Sequence, residues 1–154
     1  MLPAEHHHTI CNALTRVIKG EINRLIISIS PRSGKTLLVS QMLPSFWMGL
    51  NPASNFIVTS YSKTLAASNT YAIREIMRHE LYQSIFRDTN PRIRDDSQAR
   101  DEFMTEAGGV VYGVGSGGTI TGKGAAGMGP LSSGTILIYD IATPDEALSE
   151  RMRE

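Results

Sequence analysis

Cysteine is almost missing: Cys11 is the single one in 154 residues. A lone thiol excludes an internal disulfide framework and suits a reducing compartment. Excess charge of either sign is missing too, since 15 Lys and Arg balance 15 Asp and Glu. A stand-alone polyanion binder ordinarily carries a basic excess, so that class is disfavoured. No apolar run reaches the roughly 18 residues that a membrane-spanning helix needs. The opening stretch MLPAEHHHTIC lacks the apolar core of a secretory signal. The expected address is the cytoplasm, with no membrane partner. Charged residues make up only 19%, too few for a disordered charged chain, and 41% hydrophobic residues suffice for a core. At roughly 100–200 residues per domain, the length fits one domain or a piece of one.

What is present is uneven. Of 14 glycines, 11 lie between Gly108 and Gly134. Apolar, strand-like runs flank that stretch on both sides, which favours backbone-specific loops within a fold over a disordered linker. Residues 6–19 place Ile10, Ala13, Leu14, Val17 and Ile18 on one helical stripe, with Gly20 as the stop. Arg24–Ile29 reads as a short buried parallel strand. Lys35 to Leu43 reads as a helix that Pro44 ends or kinks. Phe56–Ser60 is a second strand. Ser62 then caps a helix to about His79, with Leu65, Ala72, Ile73, Ile76 and Met77 facing the core. A short helix through Phe86 and a polar loop follow. Glu102–Thr105 and Val110–Val114 read as strands joined by a turn at Ala107, Gly108 and Gly109, and Thr135–Tyr139 as another buried strand. Thr143, Pro144 and Glu146 have the spacing of a helix start. Strands alternating with helices predict an α/β fold with a mainly parallel sheet flanked by helices.

Gly34, Lys35 and Thr36 stand where a predicted strand passes into a predicted helix, the context of a phosphate-binding loop. Glycine admits the backbone close to a phosphate, and the helix start offers free N–H groups. Lys35 would reach the β- and γ-phosphates, and the Thr36 hydroxyl would hold Mg²⁺. The first glycine of the usual eight-residue pattern is absent, since Ile29 stands there. Asp140, at the tip of the TILIYD run, is an acid suited to Mg²⁺ or its waters. Gly113, Gly115 and Gly118 also satisfy a dinucleotide-binding pattern. However, five glycines and Pro130 within 119–134 forbid the crossover helix that pattern requires. His6, His7 and His8 read as solvated rather than as metal ligands, and Asp145 and Glu146 as helix caps.

These residues together resemble the large subunit of tailed-phage terminases, the motors that package DNA into proheads. The resemblance is carried by ordered segments along nearly the whole chain. They are His7-His8 with Ile10-Cys11 and Ala13-Leu14; Ser30 to Thr36; Gly49-Leu50-Asn51-Pro52; Thr59 to Ser62; Gly117 to Gly122; and Pro144 to Ala147. That family likewise lacks the first phosphate-loop glycine and carries an arginine ahead of the glycine-lysine pair. The resemblance implies a P-loop NTPase domain, binding ATP and Mg²⁺ between subunits of a ring and driving double-stranded phage DNA. The implied partners are the portal protein and the small terminase subunit. Ser33, Gly34, Lys35 and Thr36 fall on the nucleotide-binding positions, Arg32 on the γ-phosphate-sensing arginine, and Thr36 and Asp140 on the Mg²⁺ positions.

Two departures from that family follow. Its acidic strand ends in two adjacent carboxylates, one for Mg²⁺ and one to orient the attacking water. Aligned without gaps, Tyr139 takes the first place and Asp140 the second; slid by one, Asp140 is the Mg²⁺ acid and Ile141 the missing base. Either way one acid remains, which puts hydrolysis in question more than binding. The chain also stops just past this strand, so residues 1–154 are expected to be a partial domain, incomplete at its C-terminus and without the nuclease domain. A non-catalytic nucleotide-binding remnant and an unrelated helicase-like P-loop ATPase stand as alternatives.

Overall fold

A computed structural model describes residues 3–97, 99–118, 124–125 and 134–139. Its elements are α1 (Glu5–Ile18), a π-helical stretch (Thr36–Met42) running into α2 (Leu43–Leu50), β1 (Asn55–Ser60), α3 (Lys63–Arg78), α4 (Glu80–Ile85), β2 (Glu102–Met104), β3 (Val110–Gly115) and β4 (Gly134–Ile138). The fold is α/β. Four strands form one mixed sheet in the order β2-β3-β1-β4, with β1 parallel to both neighbours and β2 antiparallel to β3.

Phe56 and Val58 of β1 lie in register with Val111 and Leu137, so these four share the face that meets the helices. Trp47 of α2 stands edge-on to Phe56, with ring centroids 5.5 Å apart. Ile10 and Leu14 of α1, Ile73 and Met77 of α3, and Phe103 of β2 complete this core. The opposite face is open at β4, where Ile136 and Ile138 are 51% and 61% exposed.

Local signals explain most of these elements. Gly20, at φ +74°, ends α1, its N–H donating to the Val17 carbonyl at 2.9 Å. Ser62 Oγ accepts the Leu65 N–H at 3.4 Å and caps α3. Thr105 pins the β2–β3 hairpin: its hydroxyl donates to the Pro52 carbonyl at 2.6 Å and accepts the Gly109 N–H at 2.9 Å. Gly113 explains part of the glycine excess. A Cβ there would come within 2.5 Å of Thr70 Oγ1 and 3.0 Å of the Ala66 carbonyl, so the glycine lets α3 lie directly on β3.

Two expectations are corrected and a third is extended. Arg24–Ile29 forms no strand. A strand exists through its ladder, and the described residues offer this segment none: Ile26 is 95% exposed, while Ile27 and Ile29 only lean on the core. Pro44, expected to end or kink its helix, does not end it. It sits in the first turn of α2, after the backbone has passed through π geometry, a register change that accommodates a residue without an N–H. On α3, Ile73 and Met77 are buried as expected and Leu65 and Ile76 pack, partly buried, against the core, but the buried face is wider than hydropathy shows, since Ala66, Asn69, Thr70 and Arg74 are buried too. The expected helix from Thr143 lies outside the described residues.

Candidate phosphate-binding site

Between α1 and the π-helical stretch the chain turns through Ser30 to Lys35. Two backbone angles bend it: Arg32 at φ +62° and Gly34 at φ +80°. The left-handed region is free for glycine and strained for arginine by roughly 1–2 kcal/mol. The bend borders a cavity of about 420 Å³, open to solvent on one side and lined by Ile29, Ser30, Pro31, Arg32, Gly34, Lys35, Thr36 and Leu37. That volume lies within the range of about 300–1,000 Å³ usual for small-molecule sites.

The lining is suited to an anion. It carries two cations, Arg32 and Lys35, two hydroxyls, Ser30 and Thr36, and, among the described residues, no carboxylate. The helical run opens at Thr36, with the Leu38 N–H donating to the Gly34 carbonyl at 3.0 Å. The N–H groups of a first turn have no acceptor within their own helix and present positive charge. Mg²⁺ by itself is poorly served, because a hard cation takes about six oxygens and this lining holds two side-chain ones. The donor set fits Mg²⁺ carried on phosphate oxygens, with Thr36 as the protein's contribution.

Arg32, Gly34, Lys35 and Thr36, neighbours in the chain, all line this cavity. Ser33 is not among the lining residues; its carbonyl turns away toward α1, where His7 Nε2 lies 3.3 Å off. Asp140, like Asp145 and Glu146, lies outside the described residues. Tyr139 is described, and it is not part of the cavity lining. Its N–H continues the β1–β4 ladder onto the Thr59 carbonyl at 3.1 Å. Its hydroxyl accepts a short hydrogen bond from Asn69 Nδ2 and donates to the Leu65 carbonyl at 3.5 Å. Asn69 Oδ1 in turn accepts from Gln41 Nε2 at 2.9 Å.

The sequence reading missed this chain of three side chains, which joins the helix after the loop to the end of β4. It also missed His7 as a neighbour of the loop. For His7 a signal was available: it is the third residue of α1, where a side chain can cap the helix start, and its Nδ1 accepts the Ala4 N–H at 3.0 Å. For Gln41 and Asn69 there was none. No protein-family model, curated protein or solved structure matches the chain.

Proposed function

We propose that the Ser30–Thr36 loop binds the phosphates of Mg·ATP, and that the chain is the ATPase segment of a tailed-phage terminase large subunit, driving DNA into proheads. One observation carries the first half. A loop with left-handed backbone at Arg32 and Gly34 wraps a cavity lined by Lys35 and Thr36 at a helix start. The second half rests on the resemblance of the ordered sequence segments, since an α/β sheet hosts many activities.

On this reading the Gly34 and Lys35 N–H groups and the Lys35 ammonium hold the β- and γ-phosphates, and the exposed Arg32 reaches the γ-phosphate. Thr36 contributes its hydroxyl to Mg²⁺, and Asp140 is the acid assigned there by resemblance. Mg²⁺, when bound, neutralises charge that develops between the β- and γ-phosphates. The working context is a ring of full-length subunits in the host cytoplasm, with double-stranded DNA, the portal protein and the small subunit as partners.

Lys35→Ala tests the loop. Calorimetric titration with Mg·ATP should show binding to the parent chain and none to the variant, with unchanged circular dichroism. Equal affinity in both would refute the assignment. A second reading, binding without turnover, is favoured by Tyr139. Its hydroxyl is engaged with α3, so it does not serve as a substitute acid, and this supports the alignment in which Asp140 is the Mg²⁺ acid and Ile141 stands where the base is missing. Steady ATP turnover at the rate of an intact motor would refute that second reading.

A further inference from the structure

Ser33 is the one residue between Arg32 and Thr36 that does not line the cavity, and its carbonyl faces α1 instead. Ala4 is the N-cap of that helix, and its N–H donates to His7 Nδ1 at 3.0 Å. A neutral imidazole whose Nδ1 accepts must carry its proton on Nε2. That N–H is the one that faces the Ser33 carbonyl, at 3.3 Å. The ring also lies over the next residue: a Cβ on Gly34 would meet Nε2 at 3.2 Å and Cδ2 at 3.7 Å. The neighbouring ring of His6 tilts against His7 with centroids 4.0 Å apart.

A peptide unit is planar, so in the trans form its C=O and N–H point in opposite directions. A Ser33 carbonyl held toward α1 therefore directs the Gly34 N–H away from α1. Gly34 lines the cavity and Ser33 does not. At a residue-glycine junction the opposite peptide orientation is sterically open as well, because glycine tolerates either sign of φ. In that orientation the carbonyl oxygen would replace the N–H and repel an anion. Loop sequence alone does not choose between the two.

We infer that His7 is a positioning residue for phosphate: its Nε2–H fixes the Ser33–Gly34 peptide so that the Gly34 N–H is presented to the ligand. The inference rests on the proposed phosphate-binding role of the loop. The ligand class is a di- or triphosphate, and the contribution is one preorganised donor to an anion. Loss of such a charge-assisted bond weakens binding by roughly tenfold or more.

Two neutral variants of similar length separate this role from a merely structural one. In His7→Gln the amide oxygen can still cap α1 and the amide N–H₂ can still donate to Ser33. In His7→Met neither is possible. Both are titrated calorimetrically with ADP and, as a nucleoside-free probe, with pyrophosphate, beside the parent chain and Lys35→Ala. The Gly34 amide signal is followed by ¹⁵N NMR in each ligand-free protein. The expected result is parent-like affinity for His7→Gln, about tenfold weaker binding of both probes for His7→Met, and a Gly34 amide shifted only in His7→Met. Parent-like binding by both variants, or equal weakening in both, would overturn the positioning role while leaving the phosphate loop standing. If His7→Met does not fold, a Gly34 amide displaced in the folded His7→Gln variant, with affinity lost, would likewise overturn it. A parent chain that binds neither probe, or a Lys35→Ala variant that binds both equally well, would refute the loop itself and this inference with it.

Discussion

Removing the hydroxyl of Tyr139 is the sharpest perturbation of the interior. Tyr139 and Asn69 are both buried, at 9% and 3% exposure. In Tyr139→Phe the ring still fills its place, but Asn69 Nδ2 loses its acceptor, and water has little access to replace it. A buried donor left unpaired costs about 1–3 kcal/mol. At roughly 2–4 °C per kcal/mol for a domain of about this size, Tm falls by roughly 2–12 °C. The assay is thermal unfolding followed by circular dichroism, run as a cycle with Asn69→Leu and the double variant. Because the two side chains touch, the double variant should be more stable than the sum of the singles predicts, by about 0.5–3 kcal/mol. Tyr139→Asp should be worse than Tyr139→Phe, since it places a carboxylate among Leu137, Asn69 and α3 rather than in the phosphate cavity. A Tyr139→Phe variant within about 0.5 kcal/mol of the parent chain, or additive singles, would refute the buried bond. Tighter Mg²⁺-dependent ATP binding in a folded Tyr139→Asp would restore the gapless alignment.

Gly113→Val should destabilise by about 1–3 kcal/mol or prevent folding, because its side chain enters space held by Thr70 and the Ala66 carbonyl; urea unfolding measures it. Tyr82, buried and donating to the Ser45 carbonyl at 2.7 Å, has its phenol pushed well above the ordinary range by desolvation. A raised folded-state pKa contributes stability below the unfolded value of about 10 that is lost as pH rises beyond it. Tyr82→Phe should therefore flatten the loss of stability above pH of about 10, as read from Tm against pH. Ile136 and Ile138, on a strand whose outer edge has no ladder among the described residues, should drive association. Ile138→Lys should lower the apparent mass at micromolar concentration in light scattering, and a parent chain already monodisperse would count against this.

The elements legible in the sequence are those whose cause is local. Gly20 stops α1, Ser62 caps α3, and the Gly108 turn joins β2 to β3 through contacts that span only a few residues. The four residues Phe56 to Thr59 are buried on both faces of β1, so they read as an unbroken apolar run. Arg24–Ile29 shows the limit of that reasoning. Its residues are as strand-like as those of β1, yet a strand is a property of two segments, and no ladder partner stands beside it among the described residues. The same limit hides the full width of the buried face of α3. Hydropathy counts Asn69, Thr70 and Arg74 as surface, whereas Asn69 is buried because Gln41 and Tyr139 meet it, and Arg74 because its guanidinium donates to the Ala99 carbonyl at 2.9 Å.

The candidate site divides along the same line. Gly34, Lys35 and Thr36 are adjacent, so the proposed phosphate-binding triplet can be read directly from the sequence, and Gly34 takes a positive φ. The side chains that meet this loop or the helix after it have remote partners: His7 is 26 residues from Ser33, Gln41 is 28 from Asn69, and Asn69 is 70 from Tyr139. Each is a single polar side chain, with no repeat or period to mark it, and its partner is fixed only when α1, α3 and β4 have packed. Binding chemistry that depends on adjacent residues can therefore be read before folding, whereas the orientation of a peptide within the loop cannot. If His7 sets that orientation, the affinity of the triplet for phosphate depends on the docking of α1. Ile10 and Leu14 take part in that docking, since they bury the same helix against the core.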